Sequence, residues 1–143
     1  MAHVLEAGFE ILQRENPNGS PTVMGYNIIN GELRSSSDGK TFESRNPAWT
    51  DDCLGVFPLS TKKDVHDALE SAREAFAEWS MTPAPSRGQI IGNMGRLLME
   101  YKDDIVRVET REIGKTLKES AGEVQEAIGT CLFFQSEGRR LYG

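Results

Sequence analysis

ETREIGKTLKES, residues 109–120, carries in Gly114, Lys115 and Thr116 the last three letters of a nucleotide-binding P-loop. Read that way, the chain would hold a phosphate on a strand-to-helix loop. Read as the end of one helix and the approach to another, the same letters make a helical layer with no ligand. A P-loop needs a second glycine five positions before its Gly-Lys pair, so that consecutive backbone N–H groups wrap the phosphates before the lysine reaches them. Glu109 holds that position, and a carboxylate there repels phosphate. The residues leading into it, DDIVRVET (103–110), have the spacing of a helix rather than of a buried strand. Gly114 is therefore read as the left-handed residue that closes a helix, with Lys115 near the negative end of the dipole and a turn to follow.

Working outward, Ser120 with Glu123 reads as a capping box opening a helix on which Val124, Ala127, Ile128, Cys131 and Phe134 share a face. Upstream, Asp103 or Asp104 is the expected cap of the helix that carries Ile105, Val108 and Ile113. Before it, Ile90, Ile91, Met94, Leu97, Leu98 and Tyr101 mark a second amphipathic helix, set off by the corner that Pro83 and Pro85 enforce. Gly88, Gly92 and Gly95 fall inside that helix at a spacing suited to close helix packing. Earlier still, Val65, Ala68, Leu69, Ala72, Phe76 and Trp79 follow an i, i+3, i+4, i+7 rhythm behind a Thr61–Asp64 cap, which predicts one buried face.

Upstream of Thr61 the signals are those of strands. YNIINGELR (26–34) is read as one strand, SSSDGK as a turn, TFESRNP (41–47) as a second strand, AWTDD as a loop and CLGVFPLS (53–60) as a third. Pro47 and Pro58 lack an N–H and should sit at strand ends or on an edge. Residues 1–21 combine a few apolar positions with the turn-rich RENPNGSP and are read as a flexible segment, a frayed helix and a linker. The expected organisation is a flexible segment over 1–21, short β-strands over 22–60 and four helices over 61–143. Three short strands offer little surface to four amphipathic helices, so part of their apolar area is expected to face something outside this sequence.

The 143 residues suffice for one domain, and a hydrophobic fraction of 38% with 27% charged residues argues against wholesale disorder. The net charge is −6, with 16 basic residues scattered among 22 acidic ones, so nucleic acid and anionic membranes are poor partners. No apolar run reaches the length of a membrane span, the N-terminus has acid where a signal peptide has base, and the expected compartment is the cytoplasm. Two cysteines and two histidines without metal-ligand spacing give no metal site. Cys131, the one candidate nucleophile on a defined element, sits in mid-helix on the apolar stripe, where a thiol has no helix N-terminus, cation or base to activate it. The acid pairs Asp51-Asp52 and Asp103-Asp104 read as caps or solvated loop. Composition and spacing alone thus yield no catalytic, cofactor-binding or metal-ligating residue.

The order of these words nevertheless resembles the N-terminal portion of the aldehyde dehydrogenase superfamily. YNIINGELR is similar to that family's opening strand with its INGE element. GKTFESRNPAWTDDCLGVFPLSTKKDVHDAL is similar to its NP turn, V-P strand and first helix, while AREAFAEWS, RGQIIGNMGRLL and ETREIGKTLKES resemble the helices and the E-x-GK corner that follow. PAPSRG and GEVQE (122–126) most resemble branches acting on semialdehydes that bear a carboxylate, such as α-aminoadipic or 2-oxoglutarate semialdehyde. The likeness runs from about Tyr26 to Gly143.

The resemblance implies an α/β fold, with this chain an incomplete cofactor-binding domain of about three short strands and four helices. It implies an enzyme that oxidises an aldehyde or semialdehyde to the acid with NAD or NADP and works as a homo-oligomer. In that chemistry a cysteine attacks the aldehyde, a preorganised amide and a backbone N–H hold the oxyanion, hydride passes to NAD(P)+ and a glutamate activates water. The family's words for those groups match nothing in these 143 residues, and Cys131 is not the family's nucleophile. No site residue is carried over, no NAD(P) is expected to bind this chain alone, and the chain is expected to be inactive by itself. Its expected partner is the remainder of a dehydrogenase chain, or, as a separate interaction module, a complete dehydrogenase subunit. The fourth helix is expected beside the substrate entrance, with Gly122 to Glu126 near the tunnel.

Overall fold

The computed structural model describes residues 10–12, 16 and 19–140. In chain order the described elements are strands β1 (Glu10–Leu12), β2 (Thr22–Met24), β3 (Asn27–Ile29), β4 (Glu32–Arg34), β5 (Thr41–Arg45) and β6 (Cys53–Pro58), then helices α1 (Lys62–Met81), α2 (Ala84–Glu100), α3 (Lys102–Ile113) and α4 (Leu117–Glu137). The fold is mixed α/β, with short strands followed by four helices, as the sequence predicts. The expected frayed helix within 1–21 gives way to a strand at Glu10–Leu12, paired antiparallel with β2. The rest of that segment, apart from Asn16 and residues 19–21, and the last three residues, lie outside the described residues.

The chain divides into two compact units: residues 1–77 with 111–114, and residues 78–110 with 115–143. The first holds a four-stranded sheet in the order β1-β2-β6-β5, with β2 and β6 parallel and the outer pairs antiparallel, and a separate two-stranded sheet of β3 and β4. YNIINGELR is thus a hairpin and not one strand. Asn30 (φ 55°) and Gly31 (φ 73°) occupy the two central positions of its turn. Positive φ at both is what a two-residue turn needs to match the right-handed twist of its strands. Pro58 closes β6 and Pro47 lies just beyond β5, where neither interrupts a ladder.

The interior of this unit is largely polar. Asn16 brackets Cys53, its Oδ1 accepting from the Cys53 N–H at 2.9 Å and its Nδ2 donating to the Cys53 carbonyl at 2.8 Å. Asp64, buried at the start of α1, accepts from the backbone N–H groups of Thr61 (2.7 Å) and Ser37 (3.0 Å), so one carboxylate caps the helix and fixes the β4–β5 turn. The Thr61 hydroxyl completes the predicted cap by accepting from the Lys63 N–H at 3.2 Å.

These contacts hold the Asp64 carboxyl below its ordinary range, the Thr61 N–H contributing most. Asp38 is lowered to about 2, chiefly by the Ser36 hydroxyl and then by the Lys40 N–H. A carboxyl whose folded pKa is depressed stabilises the fold above its unfolded pKa and loses that contribution as pH falls through the folded value. The urea midpoint should therefore fall between about pH 4 and pH 2, and Asp38→Asn should flatten that decline. An Asp38→Asn profile parallel to the parent's would rule this origin out.

The second unit packs α2 against α4. Val106, Val124 and Ile128 form its apolar centre, joined by Leu98, Ile105 and Ala121. The buried residues of α2 are Gly88, Gly92 and Gly95, and a β-carbon added at Gly95 would lie 2.9 Å from the Cys131 Cβ. The glycine row thus lets the two helices approach closely, as its spacing predicts.

Candidate functional site

The corner between α3 and α4, the stretch that would have been a P-loop, is built from two separate sets of contacts. In the first unit, α3 ends with Arg111 in its last turn, where a cation suits the dipole, and Gly114 follows at φ +75°. A β-carbon at Gly114 would stand 2.9 Å from Pro47 Cγ and 3.1 Å from the Ala48 backbone nitrogen, so the turn is packed from outside as well as left-handed. Arg111 reaches Asp52 in a two-pronged pair, Nε to Oδ2 at 3.0 Å and Nη2 to Oδ1 at 2.7 Å. The Asp52 side chain is fully buried and that of Arg111 is 19% exposed. Asn46 donates to the same carboxylate at 3.2 Å. Asp52 is therefore neither a cap nor solvated loop, which corrects the expectation for that member of the first acid pair, while Asp51 is exposed in the loop as expected: the partner of Asp52 lies fifty-nine positions along the chain.

In the second unit the Lys115 ammonium donates to the Glu123 carboxylate; that bond raises the lysine's pKa and, followed by a hydrogen bond with Glu109, lowers the glutamate's. A lysine so engaged does not reach for a phosphate. The capping box that opens α4 is Thr116 with Glu119, one turn earlier than expected. Ser120, the predicted cap, is instead fully buried and accepts from the Thr110 hydroxyl at 3.0 Å. Asp103 and Asp104 lie inside the first turn of α3, where their charge suits the dipole.

Neither cysteine is exposed. Cys131 is buried in the middle of α4 beneath Gly95, and Cys53 is buried at the head of β6. Along the α2 glycine row the residues Gln135 and Cys131 of α4 leave no room even for a β-carbon, so that row packs a helix and does not cradle a pyrophosphate. Among the described residues no three of His, Cys, Asp and Glu converge as a metal site. No helix described is long and apolar enough to cross a membrane.

What the helices do present is apolar surface. The α1 stripe expected to be buried is exposed: Val65, Leu69, Phe76 and Trp79 retain 44–64% of their accessible surface, and Asp64 is the one buried residue of that helix. On α2 the predicted apolar residues Ile90, Met94 and Leu97 are exposed while the glycines are covered. On α4, Val124, Ile128 and Cys131 face inward as predicted, but Ala127 and Phe134 are exposed. Phe133 packs edge-on against Phe134, also at the surface. Exposed apolar residues repeated at helical spacing form rows of a kind that monomeric proteins seldom present. The periodicity located the stripes correctly and misassigned what covers them.

The candidate site is accordingly the exposed apolar surface of these helices. The aldehyde dehydrogenase family model matches residues 33–143. An α-ketoglutarate semialdehyde dehydrogenase of Haloferax volcanii is 38% identical over 117 residues, which are 82% of this chain and 24% of that protein. Among solved structures, an NADP-dependent enzyme of E. coli superposes with a TM-score of 0.78 at 34% identity, over 82% of this chain and 24% of that one. Betaine aldehyde dehydrogenase of Staphylococcus aureus, solved with NAD+, superposes with a TM-score of 0.74 at 27% identity, over 78% of this chain and 22% of that one. The chain thus spans about a quarter of the length of these relatives, and about four fifths of it superposes on the two solved structures. It belongs to the aldehyde dehydrogenase family.

Proposed function

We propose that this chain is the N-terminal structural portion of an NAD(P)+-dependent aldehyde dehydrogenase that oxidises a semialdehyde to the acid, and that it has no turnover by itself. The observation that carries this reading is the pairing of exposed apolar rows on α1 and α2 with a match that spans only 24% of the Haloferax volcanii relative. The remaining three quarters of the family's length is where the nucleophilic cysteine, the oxyanion amide, the activating glutamate and the NAD or NADP site belong. The work of this portion is to cover and brace that core, as part of the cofactor-binding domain of a cytoplasmic homo-oligomer. The semialdehyde assignment rests on relatives such as the α-ketoglutarate semialdehyde dehydrogenase. The exposure of whole helical rows also favours a second reading, in which the chain docks in trans as an assembly module on a separately supplied remainder or a complete subunit.

Both readings make the rows contact surface rather than core, which sets up a test. Leu69→Glu and Phe76→Glu should each change the chain's own stability by no more than about 0.5 kcal/mol, the usual scale for exposed positions. The same changes should reduce binding of a hydrophobic-surface dye and reduce self-association in sedimentation. A parent chain that is a sharply melting monomer without dye binding would contradict the proposal, as would a large loss of stability in either variant.

A further inference from the structure

We draw no further inference here: the strongest candidate, the hollow at the N-terminus of α1 lined by Ser60, Thr61, Lys62 and His66, rests on a helix end already capped by Thr61 and Asp64, and the half-buried Asn27 beside Ser60, whose Nδ2 finds no acceptor, is not among the side chains that line it, so no second feature points to a ligand.

Discussion

Arg111→Met is expected to lower the stability of the chain by about 3–5 kcal/mol, the cost of leaving a buried charge without its partner. The Asp52 carboxylate is fully buried, accepts from Asn46 Nδ2 as well, and loses the Arg111 guanidinium in this variant. Asp52→Asn should cost somewhat less, about 3 kcal/mol, because Arg111 keeps 19% of its side-chain exposure and can recover some water. Its amide would still set Nδ2 against the donors of Arg111 and Asn46, or turn and forfeit the 2.7 Å contact. Small proteins lose roughly 1–3 kcal/mol of stability per molar urea, so the midpoint should fall by at least about 1 M in either variant. The double variant should fall by less than the sum of the two, since both remove the same contact. A shift below about 0.3 M would place the pair with surface ion pairs, worth about 0–1 kcal/mol, and would remove Asp52 as the anchor of the corner.

The second large effect is a contrast between neighbouring glycines of α2. Alanine gains up to about 1 kcal/mol over glycine in a helix interior, so both Gly88→Ala and Gly92→Ala begin with a benefit. At Gly88 the added methyl would press on the Gln135 carbonyl, part of the backbone of α4, which yields only if the helix moves. Overpacking of that kind costs about 1–3 kcal/mol, so Gly88→Ala should be destabilising by up to about 2 kcal/mol after the propensity gain. At Gly92 the methyl would meet the end of the Gln135 side chain, which can swing aside. Gly92→Ala should therefore remain within about 0.5 kcal/mol of the parent. Thermal and urea unfolding of the two proteins read the difference directly. Equal effects at both positions would mean that α2 and α4 are not held at the separation described.

The contrast shows what kind of information the sequence carries. Helix placement was legible because apolar spacing and the turn at Gly114 are local signals. Which side of a helix is covered is not local: on α2 the covered residues are glycines, and the apolar residues that dominate the periodicity point elsewhere. The Asp52–Arg111 pair was illegible for the same reason, since an acid pair in a loop looks solvated until the helix that supplies its partner is in place. The cap of α4 was a choice between two overlapping words, T-x-x-E at Thr116 and S-x-x-E at Ser120. Thr116 wins because the left-handed turn at Gly114 leaves the chain extended at that residue, with ψ near 150°. The β3–β4 hairpin, by contrast, was announced by Asn30-Gly31, the strongest short-range hairpin signal, and the reading of YNIINGELR as one strand passed over it.

Aldehyde-dependent reduction of NAD+ and NADP+ tests the central claim most directly. It should be measured on the purified chain alone, then with the Haloferax volcanii relative from which the matching quarter has been removed, using α-ketoglutarate semialdehyde. The account predicts no turnover by the chain alone and turnover in the mixture, with this chain as the structural portion. Turnover by the chain alone would contradict it and would make a catalyst of a residue that is placed here in a structural role.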